Sequence, residues 1–168
     1  MARLVGLALD FPYSPVRLVV LALPAETTAM HLRSVRDAAA LSYAIALGVM
    51  LTFWIAVRVF GWPTARSGPF NVWVNLPHFD PTAGGDVLWR LRRDAWVYLI
   101  IGALAPFALP AVALAIGSVI KPVTLHDPLV LIWAMTLWAF LPASLVMRGI
   151  AMGRIADLIQ QKRQRSYA

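Results

Sequence analysis

Few side chains in this sequence could carry out chemistry. The histidines are His31, His78 and His126, and two of them sit in similar settings, His78-Phe79-Asp80-Pro81 and His126-Asp127-Pro128. An imidazole beside a carboxylate can begin a metal site. Aspartate before proline, however, equally suits a turn or the start of a helix. The chain has no cysteine, so thiolate ligands, disulfides and cysteine nucleophiles are all excluded. No Ser-Lys or Ser-His spacing suggests a hydrolase. Ser42 and Ser118 stand alone in apolar surroundings, where a hydroxyl ordinarily bonds back to its own helix. The residues therefore predict no catalytic centre, no metal site and no cofactor.

The elements that would have to position such residues are apolar to an unusual degree. Of 168 residues, 60% are hydrophobic and 14% charged, whereas soluble domains carry about a quarter charged residues. Three runs have no charge at all: 38–57, 95–120 and 128–147. A spanning helix needs about 20 apolar residues at ~1.5 Å each, and every run meets that length. A soluble helix keeps a polar face, and these runs are apolar all round. The predicted fold is an all-α polytopic membrane protein with three transmembrane helices at about 38–57, 95–118 and 128–147. An N-terminal interfacial or re-entrant segment (1–37), a loop (61–94) and an amphipathic basic helical extension (148–168) complete a single membrane-embedded domain.

None of the three runs contains Asp, Glu or His. That pattern argues against haem held between histidines and against a proton relay, which needs a titratable group at depth. The His78 and His126 clusters fall on opposite sides of the predicted topology and cannot share a metal.

Basic residues set the expected orientation. The loop carries Arg66, Arg90, Arg92 and Arg93, and the tail carries Arg148, Arg154, Lys162, Arg163 and Arg165. Three spans put these nine on one side. The other side has Arg3, Arg17, Arg33, Arg36 and Lys121. The larger share predicts a cytoplasmic loop and C-terminus. Arg90, Arg92 and Arg93, followed by Trp96, read as a helix end anchored at an anionic membrane surface, with Arg163 and Arg165 in the same role. This makes anionic lipids a more natural partner than nucleic acid, which would need a basic patch on an exposed folded domain.

Local signals refine the outline. Asp10, Pro12, Pro15 and Arg17 oppose a simple span near the N-terminus. Residues 27–37 read as a short helix before the first span, capped by Thr27 or Thr28. Asp86 and Asp127 read as caps of the next two helices, with Pro128 at the first helical position. Pro106 and Pro110 predict a kink near residues 102–110. Trp73 and Phe79 lie in a Gly- and Pro-rich stretch and suit either the interface or a partner. Gly149 and Gly153 form a G-x-x-x-G that permits close helix approach, and Ile155 and Leu158 continue an apolar face into the tail.

The expected function is that of a non-catalytic integral subunit or assembly factor of a larger complex in the bacterial inner membrane. Secretion or conjugation machinery and energy-transducing complexes both contain such small proteins. Its partners would be other membrane subunits, with homo-oligomerisation open. The alternatives are a small oligomeric channel or transporter, with the Pro106/Pro110 segment lining a path, and a membrane-bound lipid-modifying enzyme using His78 and Asp80.

Overall fold

The structure, a computed structural model, describes residues 2–62, 87–116, 125 and 127–167, and of residues 116 and 162–167 the backbone alone. Among the described residues 86% are helical and none is in a strand. The helices are α1 (Ala2–Leu9), α2 (Pro15–Leu21), α3 (Ala29–Arg58), α4 (Val87–Ile116) and α5 (Pro128–Tyr167). The last three are long and apolar enough to cross a membrane, which makes the chain a multi-pass membrane protein.

Each long helix outruns the apolar run that predicted it. The helix expected over 27–37 and the first span are one element, because no glycine or proline interrupts residues 29–47. Thr28 caps it, its hydroxyl accepting from the His31 backbone N–H at 3.4 Å. The expected loop 61–94 is helical from Val87, so α4 begins well before residue 95. It also runs unbroken through Pro106 and Pro110. Asp86 itself lies outside the described residues. Asp127 and Pro128 start α5 as expected: the Asp127 carboxylate accepts from the Leu129 N–H at 2.8 Å. That helix then continues as one element into the tail. At ~1.5 Å per residue its 40 residues span about 60 Å, twice a hydrocarbon core of about 30 Å.

Neither N-terminal helix is long enough to cross a membrane. Helices of 8 and 7 residues reach only about 12 and 10 Å. They are separated by a turn in which Tyr13 has φ 68° and Ser14 caps α2, accepting from the Arg17 N–H at 3.0 Å. Gly6 rests on α3 at Arg36 and Asp37, and a Cβ there would strike the Asp37 carboxylate. Val16 and Val19 enter the same core as Val35 and Ala39. The outward residues Leu4, Leu7 and Phe11 are exposed, as in a helix lying in an interface.

Helix α5 is central, and α3 and α4 each pack on it. Small residues make the contact with α3 close: Ala39, Ala40 and Ala46 meet Ala139 and Ala143 in one buried cluster. The α4–α5 seam is tighter still. A Cβ on Gly102 would lie 2.8 Å from the Pro142 carbonyl oxygen and the Val146 nitrogen. A Cβ on Gly149 would lie 2.8 Å from the Ala95 carbonyl oxygen. These contacts fix an antiparallel register in which Gly102 faces Pro142–Val146 and Gly149 faces Ala95–Leu99.

Trp138 joins all three long helices. Its ring lies 5.6 Å from that of Tyr43 on α3, and its indole N–H donates to the Pro106 carbonyl on α4 at 3.3 Å. Pro110 explains the second contact. It has no N–H to give the carbonyl four residues earlier, so Pro106 is left with a free acceptor at mid-membrane depth, where water cannot satisfy it.

Two predictions follow from the seam. Gly149→Ala is expected to lower the thermal unfolding temperature in detergent, since overpacking costs about 1–3 kcal/mol and exceeds the helix-propensity gain of about 1 kcal/mol. Gly153→Ala meets nothing within 4 Å and is expected to leave stability equal or higher. Trp138→Phe is expected to cost about 1 kcal/mol, and less in a Pro110→Ala background, where residue 110 regains its own donor. A double-mutant cycle reads that coupling; strictly additive losses would contradict the assignment.

Candidate functional site

One end of the bundle carries the charge. The glycine register sets α4 antiparallel to α5, and successive spans alternate in direction, so α3, which meets the first half of α5 through Tyr43 and Trp138, runs parallel to α5. The end of α3, the start of α4 and the last part of α5 therefore lie together. Among the described residues this end holds Arg58 on α3, Arg90, Arg92 and Arg93 on α4, and Arg148, Arg154, Lys162, Arg163 and Arg165 on α5, against Asp94 and Asp157. At the other end Arg3, Arg17, Arg33 and Arg36 are balanced by Asp10, Glu26, Asp37 and Asp127. The described excess at the basic end equals the +7 of the whole chain.

Packing continues past the apolar run. Leu91 (2% exposed) and Ala156 (0%) are buried there. Arg92 lies level with about Gly153 in the seam's register. Its guanidinium nevertheless reaches Asp157 at 3.7 Å and donates to the Gln160 side chain, one to two turns further out. The direction has a simple cause: side chains on a helix tilt towards its N-terminus, and the N-terminus of α4 is at this end. Arg93 pairs with Asp94 at 3.1 Å and stacks over Trp89, 5.2 Å from the ring centre. Arg92 thus braces the helix pair, a role beyond the surface anchoring expected of it, while the partners of Arg93 lie on α4 itself. Arg90 also has interactions within the chain.

Arg148 and Arg154 are placed differently. Arg148 is exposed and lies over the Tyr98 ring, 5.4 Å from its centre. Arg154 is half-buried, and its Nε is shut from solvent without a hydrogen-bond partner among the described residues. Neither has an ion pair among the described residues.

Aromatic side chains ring the same end. Trp96 is 65% exposed, and Trp89 and Trp62 are exposed beside it, a distribution typical of the membrane–water interface. Trp62 is turned back by Gly61, whose φ of 65° reverses the chain after α3 and brings the ring edge-on to Phe53 at 6.2 Å.

The expected site residues divide accordingly. Gly149 is consumed by the contact with α4, so the G-x-x-x-G does not act as a unit; Gly153 alone faces open space. Ile155 and Leu158 are half-buried. Arg163 and Arg165 lie on helical backbone, with side chains outside the described part. Trp73, Phe79, His78, Asp80 and His126 lie outside the described residues. Pro106 and Pro110 are buried, with the Pro106 carbonyl turned to Trp138. No group of three or more His, Cys, Asp or Glu able to hold a metal occurs among the described residues.

Sequence reasoning passed over Trp138 and Arg154. The first left a usable signal: Pro110 demands a donor for residue 106, and Trp138 lies equally deep in the next apolar run. The second left none, because its burial depends on tertiary packing.

The fold and the charged end define the class as a multi-pass helical membrane protein with a basic, aromatic-ringed end. No protein-family model, no curated protein and no solved structure matches the chain.

The Arg92–Asp157 pair is half in solvent, 52% and 40% exposed, so screening limits its worth. Arg92→Gln is expected to cost less than about 1 kcal/mol, a smaller loss of unfolding temperature than Gly149→Ala produces under the same conditions.

Proposed function

We propose that this protein is a non-catalytic integral subunit or assembly factor of a larger complex in the bacterial inner membrane, with its C-terminus in the cytoplasm. The observation that carries the reading is the length of α5. Its 40 residues make about 60 Å of helix, and a hydrocarbon core takes up about 30 Å. The remaining part, braced by α4 as far as Gln160, carries Lys162, Arg163 and Arg165 on its last turns. A rod that lifts a basic tip off the bilayer suits docking to an acidic protein surface. The side assignment rests on the +7 excess at this end, since basic residues are retained in the cytoplasm. The apolar spans, free of Asp, Glu and His, offer no carboxylate or imidazole for catalysis or proton coupling at depth. Secretion, conjugation and energy-transducing assemblies are the candidate hosts.

The test is native electrophoresis of the full chain from its own membrane in mild detergent, with co-migrating proteins identified by mass spectrometry. A discrete hetero-complex is expected. A chain shortened after Gln160 keeps the α4–α5 seam and is expected to fold but to leave that complex. A full-length chain that migrates alone in every mild detergent would defeat the proposal, and a discrete homo-oligomer with ion flux in liposomes would favour a channel.

A further inference from the structure

We propose that α1 and α2 carry a lipid-binding surface at the charge-balanced end of the bundle. Leu4, Leu7 and Phe11 insert between the upper acyl chains of that leaflet, whatever the charge of its headgroups. The inference stands apart from the subunit reading, because it concerns the isolated chain in a bilayer.

Depth comes from the contact between α1 and α3. The uncharged run 38–57 of α3 makes about 30 Å of helix, the thickness of a hydrocarbon core. Asp37, the charge that precedes the run, therefore marks the hydrocarbon edge. Gly6 rests on that residue so closely that a Cβ would strike its carboxylate. No residue of α1, Ala2–Leu9, is more than about 6 Å along the helix from Gly6. Headgroups add about 5–8 Å on each side of the hydrocarbon. Whatever its tilt, α1 lies in that layer or just beneath it.

The outward face has the chemistry of that depth. Leu4 and Leu7 lie three residues apart on one stripe of α1, and Phe11 follows the helix; they are 71%, 54% and 54% exposed. Val5 and Leu9 pack against the bundle core, so α1 is apolar both towards α3 and away from it. A helix end in water would turn polar residues outward. At the hydrocarbon edge acyl chains cover such a face, as they cover the exposed Leu41 about one turn deeper on α3. The surface is also held in place. Val16 and Val19 of α2 enter the core, and α2 packs on both α3 and α4. The turn between the short helices, with Tyr13 at φ 68°, leaves that phenol 89% exposed, suited to the boundary with the headgroups.

Charge does not select the lipid. Arg17 pairs with Asp10 at 3.5 Å and Arg36 with Asp37 at 2.9 Å. Arg3 and Arg33 are offset by Glu26 and Asp127. Among the described residues this end has no excess charge to prefer an anionic headgroup, unlike the basic end.

The chain has no cysteine, so single-cysteine variants of the full chain can carry a nitroxide label without further change. Leu4→Cys, Leu7→Cys and Phe11→Cys are labelled and reconstituted in phosphatidylcholine vesicles, with or without phosphatidylglycerol. Power saturation compares collision with oxygen, which concentrates in lipid, and with a water-soluble nickel chelate. Glu26→Cys, exposed between α2 and α3, is the aqueous reference. Ile45→Cys, exposed about 12 Å past Asp37, is the deep one. Thermal unfolding checks each labelled chain, and three sites ensure that one misfolded variant does not decide the result. The oxygen-to-nickel ratio at the three sites is expected to exceed that at Glu26 about threefold or more and to stay below that at Ile45. It is expected to agree within about twofold between the two lipid mixtures. Ratios equal to that of Glu26 would place the face in water and overturn the proposal. Ratios equal to that of Ile45 would overturn the placement at the hydrocarbon edge. A rise confined to vesicles with phosphatidylglycerol would mean electrostatic binding and overturn the acyl-chain assignment. Low collision with both reagents, relieved when the protein is diluted with lipid, would mean that a second copy covers the face, and would overturn it too.

Discussion

A backbone carbonyl without its usual donor organises this bundle. Pro110 cannot serve the carbonyl of Pro106, and in a bilayer no water can take its place. The indole of Trp138 supplies the hydrogen bond from α5, and the same ring lies against Tyr43 on α3. One residue therefore sets the rotation of the central helix against both neighbours. With that rotation fixed, Gly102 and Gly149 fall where the two backbones come closest. Apolar area alone could not have chosen this arrangement, because lipid tails are as apolar as the side chains they would replace.

The antiparallel seam has consequences outside the membrane. Both α4 and α5 extend past the apolar runs, so the seam continues into the aqueous phase through Leu91 and Ala156. There the opposite directions of the two helices give their arginines different tasks. Arg92 leans outward and ties the helices to each other; Arg148 and Arg154 lean inward, with no carboxylate partner among the described residues. An end that looks uniformly basic in composition is thus divided between a bracing set and a set with donors to spare. At the opposite end, where charges balance, α1 and α2 lie against α3 through Gly6, Val16 and Val19. That contact covers part of α3 without adding a span.

The sequence by itself determined the three apolar helices, the Asp127 cap, a threonine cap at residue 27 or 28, and the excess of basic charge at one end. Each follows from local composition or from a cap motif a few residues long. Helix ends were less legible: polar residues such as Arg33 or Arg92 continue a helix as readily as apolar ones once it leaves the membrane, and hydropathy does not register them. What only the tertiary structure decided was which small residue, which tryptophan and which arginine would be used. Gly149 and Gly153 are equivalent in the sequence, yet one meets a neighbouring backbone and the other nothing within 4 Å. Arg92 and Arg154 are equally basic, yet one is paired and the other has a buried Nε without a partner among the described residues. Rotation and register between helices make those distinctions, and they depend on contacts between residues far apart in the chain.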